Sequence, residues 1–118
     1  MSSFNTVLTL PVPVANVIPA AAYATPMAGL TLQAQTPYSL KCKSGMSLTT
    51  YPVTVEVTAA GADGAAVITV YAHNFGMGPL QTGACRDKAM ALVLAMQNIL
   101  ASWAQQAAAA RPQAPQGS

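Results

Sequence analysis

The side chains able to ligate a metal or act as nucleophiles are few: one histidine, His73, and two cysteines, Cys42 and Cys85. Their spacing matches no zinc pattern, and a closed structural site needs four ligands rather than three. Cys85 sits in the first turn of an expected helix with Arg86 behind it, a setting that favours a thiolate. His73 is its one conceivable base. The simpler reading is a small sulfur side chain packed on the buried stripe of that helix. The carboxylates are Glu56, Asp63 and Asp87. Asp63 is explained by an Asp63-Gly64 turn, and Asp87 by the positive start of the helix. Glu56 alternates with valines and faces solvent. No pair of acids remains for general acid–base work. Gly76-Met77-Gly78-Pro79 is not a phosphate loop, because no basic residue follows in register and Pro79 removes a donor. No catalytic, cofactor-binding or metal-ligating set is expected, and the chain reads as a non-enzyme.

The two cysteines lie 43 residues apart with no Cys-x-x-Cys spacing, as suits free thiols in a reducing compartment. Ala22-Tyr23-Ala24 imitates a signal-peptidase site. No Lys or Arg precedes Lys41, however, and Pro11, Pro13 and Pro19 break the apolar stretch. The longest apolar run, Ala89 to Met96, is far short of the roughly 18 residues that span a bilayer. The expectation is a cytoplasmic protein with no transmembrane segment.

At 118 residues the chain has the length of one domain. Charged residues make up 7%, against a usual share of about 25%. A net charge of +2 is too small to build a DNA-binding face, and 53% hydrophobic residues exclude a disordered chain. A surface so poor in ions is tolerated when something covers it.

Alternating residues predict strands over 4–10, over 30–43 as one defective strand or two short ones, and over 53–58 and 66–72. Ser44-Gly45 is a turn, and the segment Ala60 to Gly64 is a hairpin loop. Residues 14–28 carry helical spacing, with a break or kink expected at Pro19 and a stop at Gly29. Thr82 caps a helix running to about Ala110. This gives an α+β fold in the order β-α-β-β-β-α: an antiparallel sheet of about four strands with a long C-terminal helix packed across one face. Residues 1–110 form the single domain, and the Pro/Gln-rich stretch 111–118 is a disordered tail or linker.

The last helix carries most of the functional argument. Cys85, Ala89, Leu92, Val93, Met96, Ile99, Leu100 and Trp103 form a stripe suited to lie on a sheet. Met90, Leu94 and Ala101 fall on the opposite side, and the last turns, including Ala104 and Ala108, overhang the domain. These five residues are the expected partner interface of a homo-oligomer or protein complex. A second reading places an apolar ligand, a lipid or a quinone, between helix and sheet beside Val55, Tyr71, Leu92, Met96 and Leu100. The six methionines would suit an adaptable apolar pocket of that kind.

Ser44-Gly45-Met46-Ser47-Leu48 before the central hairpin, and Asn74-Phe75-Gly76-Met77-Gly78-Pro79-Leu80-Gln81 before the last helix, carry a resemblance over about residues 4–103. The chain resembles small bacterial helix-grip or TBP-like domains of uncharacterised function. That resemblance implies an interaction or scaffold unit, and larger helix-grip proteins enclose apolar ligands between helix and sheet. A weaker resemblance, through Tyr38-Ser39-Leu40-Lys41-Cys42 and Ala95-Met96-Gln97, is to coat proteins of single-stranded RNA phages and implies self-assembly.

Overall fold

The computed structural model describes residues 1–45, 47–62 and 64–110. Met46, Asp63 and the segment 111–118, on which the tail expectation rests, lie outside the described residues. The elements are β1 (Ser2–Leu10), a short 3-10 turn (Val14–Asn16), α1 (Val17–Met27), β2 (Thr31–Thr36), β3 (Ser39–Lys43), β4 (Thr54–Ala62), β5 (Ala65–Asn74) and α2 (Pro79–Ala110). The five strands form one antiparallel sheet in the order β1-β5-β4-β3-β2. Both helices lie on the same face of it. α2 covers β1 and β5, while α1 packs along α2 and over β2, β3 and β4.

The α+β class and the long helix across an antiparallel sheet are as the sequence implies, with five strands instead of about four. Of the two readings of 30–43, the two short strands are found, paired as a hairpin turned at Pro37-Tyr38. Proline has no donor for a ladder and fixes φ for a turn, so the chain reverses there. Within β2 the register shifts between Leu32 and Ala34. The extra residue moves Ala34 opposite Lys41, off the core side, and all six residues of β2 are exposed.

Pro19 neither breaks nor kinks α1. It occupies the third helical position, where the backbone N–H has no partner within the helix. The interior proline is Pro26, one residue from the end. Gly29, at φ +75°, ends the helix, and Leu30 N donates to Thr25 O at 3.0 Å. α2 starts three residues before the expected cap. Pro79 takes the first helical position after Gly78 at φ +96°, and Thr82 lies inside the first turn, bonded to Gly78 O. The β4–β5 ladder continues past Ala60 to the pair Ala62–Ala65, so the loop is tighter than the sequence implies.

The core lies between helices and sheet. Ile18, Ile68, Leu92, Met96, Val17, Val55, Val57, Val70, Cys42 and Cys85 are all under 2% exposed. Alternation along β3, β4 and β5 puts their apolar residues on this side.

Candidate functional site

A polar latch fixes where α2 begins. Gln81 is buried at the helix start. Its Oε1 accepts from Asn74 Nδ2 at 2.9 Å and from Tyr51 N at 3.0 Å, and its Nε2 donates to Thr49 O at 2.9 Å. Ser2 Oγ donates to Gly76 O at 2.9 Å, and Cys85 Sγ lies 3.7 Å from Ser2 O. A side chain at Gly76 would run into Gln81. The latch joins the end of β5, the loop before β4 and the first strand to one helix turn, which sets the direction of the whole rod.

From that anchor α2 runs 32 residues, or about 48 Å. Its inner stripe, Cys85, Ala89, Leu92, Val93, Met96 and Leu100, is buried. Trp103 is half-buried, and Tyr23 of α1 meets it edge-on with centroids 6.0 Å apart. Past Trp103 the described side chains are uncovered: Ala104 through Ala109 are all exposed. The outward side carries Met90 at 38% and Leu94 at 58% exposure, with Ala101 exposed one turn before the body ends. Met90, Leu94, Ala101, Ala104 and Ala108 are therefore outside the core. Their steps of four, seven, three and four residues keep to a heptad seam. Between Lys88 and Arg111 there is no charged residue.

The other expected group is split. Val55, Leu92, Met96 and Leu100 do meet beneath α2, but packed together at 4% exposure or less. Ile18 and the alanines of α1 occupy the room beside them. Tyr71 is on the opposite face of the sheet, stacked on His73 with centroids 5.1 Å apart, and is removed from that group. Its register pair is Glu56, not Val55, so strand parity sends it outward. An apolar cleft of about 510 Å³ lies elsewhere, lined by Ala15, Ile18, Pro19, Gln35, Thr36, Pro37 and Tyr38. It lies between the start of α1 and the β2–β3 turn. Sequence reasoning missed it because it depends on how two loops meet.

The thiols and the imidazole do not converge. Cys42 and Cys85 lie in the core and His73 on the outer sheet face, its Nε2 3.2 Å from Glu56 Oε2. Cys85 is in the second turn of α2 and wholly buried, and burial pushes its thiol up, against the thiolate a helix start would favour. Burial likewise pushes Cys42 up to about 11, slightly offset by Thr25. Among the described residues no helix is long and apolar enough to cross a membrane.

Neither a family model nor a curated protein matches the chain. Solved structures do. The crystal structure of Ara h 8.0201 is similar with a TM-score of 0.57 at 18% identity, over 85% of this chain and 97% of that one. CalU16 from Micromonospora echinospora gives 0.54 at 9% identity, over 87% and 86%. The di-domain ARO/CYC BexL from the BE-7585A biosynthetic pathway is more distant, at 0.44 and 13% identity, over 93% of this chain and 51% of that one. A sheet gripping a long C-terminal helix, with a second helix beside it, is a helix-grip, Bet v1-like fold, and that is the fold of this chain.

Proposed function

We propose that this protein is a non-catalytic interaction unit that assembles with further copies of itself through the outward side and projecting end of α2. The observation that carries the reading is the charge-free run from Ala89 to Ala110. It places Leu94 at 58% exposure and includes the uncovered stretch Ala104 to Ala109. An exposed helix without charges offers no long-range attraction to an ionic partner and no repulsion to its own likeness. Small residues at heptad spacing let two such helices approach closely, and a two-fold pair presents the same patch from both sides. The alanine turns beyond Trp103 have little packing to hold them as a helix, and a second rod supplies it.

Sedimentation velocity at high micromolar concentration tests this. A dimer or larger particle is expected, reduced to a monomer by Leu94→Glu. A wild-type monomer at that concentration removes the reading, and a shell-sized particle would favour coat-like assembly. The second reading, a carrier of an apolar ligand, is favoured by the 510 Å³ cleft at Pro19 and Tyr38 in a helix-grip frame. Native mass spectrometry of protein purified without detergent distinguishes it, since a carrier retains added mass.

A further inference from the structure

The outer face of the sheet holds a second, chemically different recess of about 260 Å³, lined by Gln33, Lys41, Lys43, Pro52, Thr54, His73, Asn74 and Phe75. Lys41 and Lys43 stand two residues apart on β3, so both ammonium groups rise on one face. Glu56 is opposite Lys41 in the ladder and Thr54 opposite Lys43, with His73 next to Thr54. A cross-strand Lys41–Glu56 pair is thus available, yet the Glu56 carboxylate is held by His73 at 3.2 Å. Among the described residues no carboxylate comes within 4 Å of either lysine. Two like charges side by side, against the single Glu56 carboxylate that His73 engages, leave a local positive excess. Phe75 is 81% exposed at the rim, an aromatic surface with no core to join.

We infer that this recess binds a small planar organic anion, an aromatic carboxylate. The carboxylate would lie between the two ammonium groups, whose N–H donors form charge-assisted bonds to it. The ring would pack on Phe75. A recess of about 260 Å³ has the scale of a small ligand, a single ring with one acid group. The site lies away from the outward side of α2, touching that helix only through the Asn74–Gln81 bond, and does not depend on assembly.

The test is a titration of the full chain with benzoate, followed by amide chemical shifts, with benzamide and inorganic phosphate as comparison probes. Saturable shifts grouped at Lys41, Lys43, His73 and Phe75 are expected with benzoate. Benzamide, which lacks the charge, and phosphate, which lacks the ring, should each bind roughly tenfold or more weakly. The double variant Lys41→Gln/Lys43→Gln should keep its folded spectrum and lose benzoate binding by a similar factor. Absence of saturation, equal binding of either comparison probe, or an unaffected double variant would each overturn the proposal.

Discussion

The two faces of the sheet are made by the same strands, one residue out of step, and they share almost no chemistry. Toward the helices β3, β4 and β5 present Leu40, Cys42, Val55, Val57, Ile68, Val70 and Ala72, each 2% exposed or less. Away from them the same strands present Lys41, Lys43, Glu56, Tyr71 and His73. A chain with 7% charged residues has put most of its sheet charges on one small area. The sheet's packing therefore resides on one side and its ionisable groups on the other. Changes on the inner face should be read in free energy, and changes on the outer face in binding.

The sharpest break of that contrast is a core deletion. Leu92→Ala, under the middle of α2, should cost about 3 kcal/mol in urea unfolding, as large-to-small changes in closed cores do. An effect under 1 kcal/mol would mean that the helix–sheet seam is looser than it looks. Next comes pH. The Cys42 thiol, enclosed among Thr25, Val55 and the β3 backbone, holds its proton to about 11 in the folded chain and to 9.0 when unfolded. A raised folded value favours the folded state below the unfolded one, so that contribution is complete below pH 9 and lost as pH rises through 11. The loss should be about 2 kcal/mol between those limits, and the slope should flatten in Cys42→Ala. Smallest is Glu56→Gln on the outer face. Its partially exposed pair with His73 should change unfolding by less than about 1 kcal/mol. A larger loss would show that the outer face shares in holding the sheet.

Much of this arrangement was legible. Period-two alternation located β1, β4 and β5, and the 3.6-residue stripe from Cys85 to Trp103 identified the helix face that lies on the sheet. What failed did so for local reasons. Leu30, Leu32 and Ala34 alternate as if all were buried, but the register shift after Leu32 cancels the alternation, which a bulge does without any mark in residue type. Pro19 reads as a breaker until the helix start is known, two residues earlier. Tyr71 was grouped with core residues although its own alternation with Val70 and Ala72 sends it outward. The recess on the outer face was half visible: Lys41-Cys42-Lys43 already places both lysines on one side. That His73 and Phe75 meet them depends on pairing between strands far apart in the chain, which periodicity does not encode. Gln81 closes the motif before the last helix, but its bonding role gave no signal, since that role comes from the end of β5 and two backbone groups of the loop before β4 that the fold brings to it.

The charge-free run along α2 has a further outcome for whatever it touches. Dissolved ions act on a contact mainly by screening its charges, and here there is nothing to screen. A junction formed along that stretch should hold equally in dilute buffer and in brine. Sulfate, by strengthening the withdrawal of apolar surface from water, should tighten it.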